Sequence, residues 1–513
     1  MIRFLVALLS FALLVGCTPP APNTSSTTVE QRSANQSFSI ALIALPPTLS
    51  PASSATQYPI WSALYDSLVK LDTASDAQPW SAEKWELIQP FTWRFTLRPG
   101  LVFGNGEKVM ASDVAFSAKT AIANRWSLAT GFGNVSEVKA IDERTVDFVM
   151  KEPDAGILPS LALLWILPEK YYTQVGHDGF AAKPIGSGPY EPVEFRSSDF
   201  VRLKKKTTEH GFRRPQPTEL IFRTIAEPVA MVAGFKTGEL DILYGQINPE
   251  QIETLKRSGA TVEYRYSGVT MGLFSQVENR DRKTPLTDRR VRLALNYAVD
   301  RETLAKAIFQ GYATPVGQFS VPDSLSWNEN IKPFPYDPAQ AKKLLTEAGY
   351  PNGFKLPVGI DFTPLTVNPQ LVTALQGYFR DIGVDAPVNT LELAVFLDKF
   401  QGRNGQTKGD IFMQTVVASS AFGQSQRTTH SCDRPLVWWC NPEYDRLMNS
   451  IVGEPDRQKR ATALRAAIAI QREDVAHLDL FAMPEFVILQ GKVRGFAFES
   501  AGSVNFDSIY RID

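Results

Sequence analysis

Cysteine and histidine are scarce: the 513 residues hold three cysteines and four histidines. The histidines (His177, His210, His430 and His477) are scattered, so no H-E-x-x-H or comparable metal-ligand spacing occurs and no metal site is expected. Nucleotide-binding loops are missing as well. There is no G-x-x-x-x-G-K-[ST], and Gly131-Phe132-Gly133 lacks the third glycine of a dinucleotide loop. A G-x-S-x-G elbow is absent, and Gly186-Ser187-Gly188-Pro189 is too short to stand for one. No cofactor and no catalytic residue is therefore assigned. An excess of one charge is also lacking. The 53 Lys and Arg balance 54 Asp and Glu for a net charge of -1, which argues against general nucleic-acid binding. The densest basic run, residues 202–214 (RLKKKTTEHGFRR), reads as the solvated face of a hairpin. No apolar run is long enough to span a bilayer, and no internal repeat is visible.

What is present begins at the N-terminus. Arg3 precedes a run, residues 4–15, that is apolar apart from Ser10 and leads into Gly16 and Cys17. Residues 1–16 thus read as a secretory signal peptide. The Leu14-Val15-Gly16-Cys17 ending resembles a bacterial lipobox, in which the cysteine becomes the lipidated first residue of the mature chain. Several acyl chains on Cys17 would hold firmly, at about 0.8 kcal/mol per buried CH2. Residues 17–37, rich in Ser, Thr, Pro and Asn, form a flexible linker that buries too little apolar surface to order itself. Function is expected outside the cytoplasm. Cys432 and Cys440 remain, close together in an oxidising compartment, and a disulfide is the natural pairing. It would contribute about 2–3 kcal/mol in the entropic view. A metal site is the competing reading, but His430 is the one further ligand type at a suitable spacing.

The remaining 44% apolar, 21% charged composition is that of a globular chain, long enough for more than one structural unit. Trp93, Phe95 and Leu97 alternate with Arg94, Thr96 and Arg98 at strand period, and Asn105-Gly106 signals a hairpin turn. Residues 112–123 read as a helix. Asp337-Pro338-Ala339-Gln340 supplies an N-cap, a proline at N1 and a glutamine at N3, with Gly349 and Pro351 ending that helix. Asp300 and Gly311 bracket another. Helices and strands mix without strict alternation, so the class is α/β or α+β.

Several of these segments also carry a resemblance. Residues 44–51 (ALPPTLSP), 64–69 (LYDSLV), 79–85 (PWSAEKW), 95–103 (FTLRPGLVF), 112–117 (SDVAFS), 186–190 (GSGPY), 238–242 (GELDI), 291–301 (VRLALNYAVDR), 335–338 (PYDP) and 347–351 (EAGYP) follow one another collinearly. Together they resemble the bacterial extracellular solute-binding proteins of family 5, receptors of peptide, nickel and opine ABC importers. The resemblance implies a mixed α/β, two-lobed, periplasmic-binding-protein-like fold (type II, cluster C) with an extra subdomain inserted in the first lobe. It implies a first lobe of residues 38–57, 184–270 and 482–513, an inserted subdomain of 58–183 and a second lobe of 271–481, with crossings near 267–274 and 478–484. It further implies a monomer that captures a small solute in the cleft without transforming it, and a membrane permease as partner.

In peptide-binding relatives an aspartate upstream of the cysteine pair receives the peptide amine. The corresponding segment here, residues 415–432 (TVVASSAFGQSQRTTHSC), holds no acid. An unpaired buried ammonium is costly, so an uncharged or anionic ligand is expected: a blocked or modified peptide, an opine or a sugar-containing compound. Candidate contacts in this segment are Ser419, Ser420, Phe422, Gln424 and Arg427, the last as a fork for a ligand carboxylate. Trp438 and Trp439 inside the cysteine loop, Tyr58 and Trp61, and Arg125 and Trp126 complete the set. His430 could hold a metal chelate, or be a structural histidine.

Overall fold

A computed structural model describes residues 31–53, 58–89, 91–126, 131–207, 211–245, 247, 249–275, 284–401, 411–418, 427, 430–432, 439–500 and 503–513. The signal-peptide and lipidation readings, including Cys17, lie outside these residues.

Local chemistry dictates the elements much as the sequence implies. In the strand Thr92–Leu97, Trp93, Phe95 and Leu97 turn inward and Arg94 and Thr96 are less buried. Gly106 takes φ +85, closing the Asn105-Gly106 turn with a bond from its N–H to the Phe103 carbonyl at 2.9 Å. The following helix is Ala111–Ala123, its start held by the Asp113 carboxylate, which accepts from Met110 N–H at 2.8 Å. Asp337 caps the helix Pro338–Glu347 through Gln340 N–H at 2.8 Å, and Asp300 caps Arg301–Phe309 through Thr303 N–H at 3.0 Å. Each cap satisfies one of the amides a helix start leaves unpaired.

One eleven-stranded sheet runs through the molecule. In space its strands follow the order Val388–Thr390, Ile360–Phe362, Ile411–Val417, Thr261–Ser275, His477–Leu489, Ile242–Tyr244, Ser37–Leu42, Glu219–Thr224, Phe200–Lys205, Tyr190–Arg196, with Thr314–Pro315 added beside His477–Leu489. The two long strands, Thr261–Ser275 and His477–Leu489, are antiparallel and carry the chain from one half of the sheet to the other. Their register breaks between Tyr266, opposite Pro484, and Thr270, opposite Ala482. Gly268 sits in the break at φ +80, a conformation that costs a side-chain-bearing residue energy.

Each half has its own core. Helices Pro228–Lys236 and Pro249–Arg257 bury Phe235, Ile252 and Leu255 against Leu243 and Ile488 on the first half. Helices Arg289–Tyr297, Pro338–Glu347 and Pro369–Asp381 bury Leu295, Leu345 and Phe379 with Met271 and Phe481 on the second. The stretch 58–183 carries a separate four-stranded sheet, ordered Ala82–Gln89, Thr92–Leu97, Thr145–Met150, Val135–Ala140. The buried Arg213 ties that stretch to the chain's end, reaching Asp66 at 3.1 Å and Asp507 at 2.8 Å. Gly186 has to be glycine, since a Cβ there would meet the Leu64 carbonyl oxygen at 1.9 Å. The class is mixed α/β.

Candidate functional site

The register defines where a ligand can sit. Ser37–Leu42 runs parallel to Glu219–Thr224 and Ile242–Tyr244, and Ile411–Val417 runs parallel to Ile360–Phe362. In both halves the carboxyl ends of these strands point toward the register break. Ligands of open α/β sheets bind outside such ends, and here two sets converge.

At the break, Arg265 lies directly opposite Glu485 and grips its Oε2 through Nε and Nη2 at 3.1 and 3.0 Å. The Tyr244 hydroxyl donates to Glu485 Oε1 at 2.9 Å. Burial, together with the Glu485 charge, pushes the Tyr244 phenol far above its usual range, so it stays a donor. The Arg265 guanidinium also lies 4.4 Å from the centre of the Phe498 ring. Ser267 Oγ donates to the Met483 carbonyl at 2.9 Å, and Ala418 N–H to the Gly268 carbonyl at 2.8 Å, binding the second half to the break. Beyond it the second half presents apolar surface: Val417 is 50% exposed and Leu365 63%. Lower down, Asp361 is buried and neutralised by Lys399 at 3.0 Å. The Glu485 carboxylate and the Arg265 guanidinium serve each other. That leaves hydrogen-bonding and apolar surface suited to holding a solute.

The candidate residues fall in three places. Ser419, Ser420, Phe422, Gln424 and Trp438 lie outside the described residues. Tyr58 is half-buried, its ring 5.4 Å from that of Trp165. Arg125 is exposed after the helix Ala111–Ala123, and Trp126 is half-buried against the core. Arg427 is half-buried and close enough to Asp154 to oppose the upward push that burial gives that carboxyl, so its charge already faces an acid of this chain. Two expectations need correcting. Trp61 is 0% exposed and Trp439 2%, so both rings are core and offer no wall to a ligand. Trp61 is buried because the short helix Tyr58–Leu64 is sunk almost wholly in the core, and Trp439 because it packs 5.2 Å from Tyr444. Cys432 and Cys440 form the disulfide, with Cα atoms 5.0 Å apart. His430 is fully buried and meets His477, as a structural histidine does. Sequence reasoning missed Tyr244, Arg265 and Glu485. Each belongs to a strand, and only pairing across the sheet joins them.

Comparison with known proteins decides the family. Residues 76–431 match the family described as "Bacterial extracellular solute-binding proteins, family 5 Middle". The chain belongs to this family. It is 25% identical to the dipeptide-binding protein of Escherichia coli (strain K12) over 497 residues, covering 89% of this chain and 90% of that protein. It is 28% identical to the glutathione-binding protein GsiB of the same strain over 389 residues, 74% of each. Among solved structures, the ABC transporter-associated periplasmic binding protein DppA from Helicobacter pylori, in complex with the peptide STSA, superposes with a TM-score of 0.72. Its sequence identity is 22%, and the match covers 94% of this chain and 99% of that one. The family-5 fold is two-lobed, and the two halves of the long sheet correspond to this architecture. Members of this family are extracellular solute-binding proteins. Among the described residues no helix is long and apolar enough to cross a membrane.

Proposed function

We propose that the chain captures a small peptide-like or opine-like solute between the two halves of its sheet and delivers it to the permease of an ABC importer. In this reading it works as a monomer in the cell envelope, tethered by lipid on Cys17, and makes or breaks no bond in its ligand. The same reading assigns the lobes the boundaries that the family resemblance implies, with residues 58–183 as the inserted subdomain. One observation carries the reading: the carboxyl ends of both sets of parallel strands meet at a break crossed by two strands alone. Two crossings make a hinge, and contacts to both halves give a ligand higher affinity for the closed state, which is what drives closure.

Charge narrows the solute. Residues 415–432 contain no acid, and Glu485 at the break is already held by Arg265 and Tyr244. A free ammonium placed there gains no uncommitted carboxylate from these groups, which favours a blocked, modified or anionic solute. A metal chelate finds less support, since His430 is turned into the core.

Native mass spectrometry of the purified chain should reveal a co-purifying solute. Adding that compound back should raise the melting temperature, with stabilisation of about 2.7 kcal/mol at a hundredfold excess over Kd. Chemical conversion of the compound without saturable binding would overturn the reading.

A further inference from the structure

The basic run 202–214 turns two of its cations inward. Arg213 meets Asp66 and Asp507. Lys206, just past the strand Phe200–Lys205, meets no acid: among the described residues no carboxylate lies within ion-pair distance of its Nζ. That atom donates instead to the Gly186 carbonyl at 2.8 Å and the Gly188 carbonyl at 2.6 Å. An ammonium carries three N–H groups, so one is left over.

Glycine makes this grip possible. A Cβ on Gly188 would come within 2.5 Å of the Ala63 carbonyl oxygen, and one on Gly104 within 3.2 Å of Lys206 Nζ itself. Gly104 N–H in turn donates to the Gly186 carbonyl at 3.0 Å. The Gly186-Ser187-Gly188-Pro189 turn thus holds the head of one lysine in place.

Beside Lys206 lies a cavity of about 510 Å3. It opens between the strand Tyr190–Arg196, the end of the helix Glu169–Ala182 and the turn at Asn105. The first half of the sheet therefore supplies one wall and the stretch 58–183 the other. Tyr190–Arg196 ends the strand order, five strands from the crossing strand His477–Leu489. At about 4.8 Å per strand that is roughly 24 Å, so this cavity is separate from the register break.

Its chemistry is two-sided. Leu49, Leu64, Ile185 and Phe195 give an apolar wall, and the charged residues on it are Lys183, Glu191, Glu194 and Lys206. Glu194 is taken up by Arg196 at 2.7 Å and Arg202 at 3.4 Å. Lys183 and Glu191 are exposed, where solvent screens them. Lys206 is half-buried, and burial pushes its ammonium down to about 8, with Asp66 and Glu191 opposing that push and Arg213 adding to it. A desolvated ammonium with an N–H to spare is matched by an acceptor that brings a negative charge.

We propose that this cavity is a second ligand site, where a small monocarboxylic acid sets its carboxylate on Lys206 and lays its apolar body along Leu49, Leu64 and Phe195. Its volume falls within the range of small-molecule pockets, about 300–1,000 Å3. A second anionic group on the ligand would fall against Glu191 and Glu194. Occupation would brace the first half of the sheet against the stretch 58–183, whatever solute binds at the register break.

Isothermal titration of the purified full chain with acetate, benzoate and octanoate tests this. Benzoate or octanoate should bind saturably, and acetate, which has little apolar body, more weakly. Lys206→Gln should lower the affinity about tenfold or more, whereas Lys183→Gln should change it about twofold at most. The wild-type affinity should be about tenfold lower at pH 9 than at pH 7, because a group near 8 has then lost its proton in about nine chains of ten. Failure of all three acids to bind would overturn the site. So would undiminished binding by Lys206→Gln, which would place the acid elsewhere. Should that variant not fold, the pH profile decides, and an equal affinity at pH 7 and 9 refutes Lys206 as the anchor.

Discussion

The halves of this molecule are joined in two places that could hardly differ more. At the crossing, two strands pass between them with a break in register and a glycine at positive φ. At the seam, the helices Pro442–Ser450 and Arg457–Glu473 press against the stretch 58–183, and Tyr444, Met448 and Leu464 share one core with Phe95, Leu161 and Phe180. Arg460, 1% exposed, makes two bonds to Asp76 at 2.9 and 3.0 Å, and Arg457 reaches Asp72 at 2.9 Å. Ala155 N–H donates to the Val452 carbonyl at 2.7 Å, and a Cβ on Gly453 would come within 2.7 Å of Pro153 Cβ. Bending the crossing costs little, because it changes a few torsions already freed from the ladder. Parting the seam would expose a core and leave a buried guanidinium without its carboxylate. The crossing can bend, but the seam joins the same two halves, so any opening between them has to break it.

Asp76→Ala should have the largest effect. It strands Arg460 and should cost about 3–5 kcal/mol in denaturant unfolding. Adding Arg460→Met should return part of that loss, and full additivity would show that the pair does not act as one unit. Leu464→Ala should cost about 2–5 kcal/mol, since it opens a cavity in the seam. Replacing Cys432 and Cys440 together by serine should cost about 2–3 kcal/mol without disturbing the seam, as tryptic digestion would show. On the other joint, Gly268→Val should cost about 1–2 kcal/mol through its left-handed backbone. It should also shrink the ligand-induced change in radius of gyration seen by small-angle scattering. A larger loss at Gly268 than at Asp76 would invert the comparison.

The last effect is a slope. Asp479, on the crossing strand, is raised by burial to about 7 in the folded chain. A carboxyl raised by folding contributes stability as pH falls from about 7 towards 4, and that contribution is lost as pH rises through 7. Asp479→Asn should remove a slope of at most about 1.4 kcal/mol per pH unit in melts across this range.

Much of the scaffold was legible because it rests on short-range rules. The caps at Asp300 and Asp337, the alternation at Trp93, Phe95 and Leu97, and the turn at Gly106 each depend on residues within a few positions. The pairing of Cys432 with Cys440 was legible for the same reason. Burial and pairing across the sheet were not. Trp61 and Trp439 looked like ligand walls because aromatic rings line pockets and cores alike, and only burial separates the two uses. Tyr244, Arg265 and Glu485 stood in three separate strands with no local mark.

By itself the sequence determined the class of fold, the cap and turn positions, the lack of known catalytic motifs and the absence of acid from residues 415–432. Tertiary structure alone decided which charges are paired, which rings are buried and where the chain can bend. The reason is one of range. Helix caps and strand alternation are set by neighbours in the chain, whereas the ion pair of Arg460 with Asp76 spans 384 positions. The meeting of His430 with His477 likewise spans 47, and no local pattern encodes either.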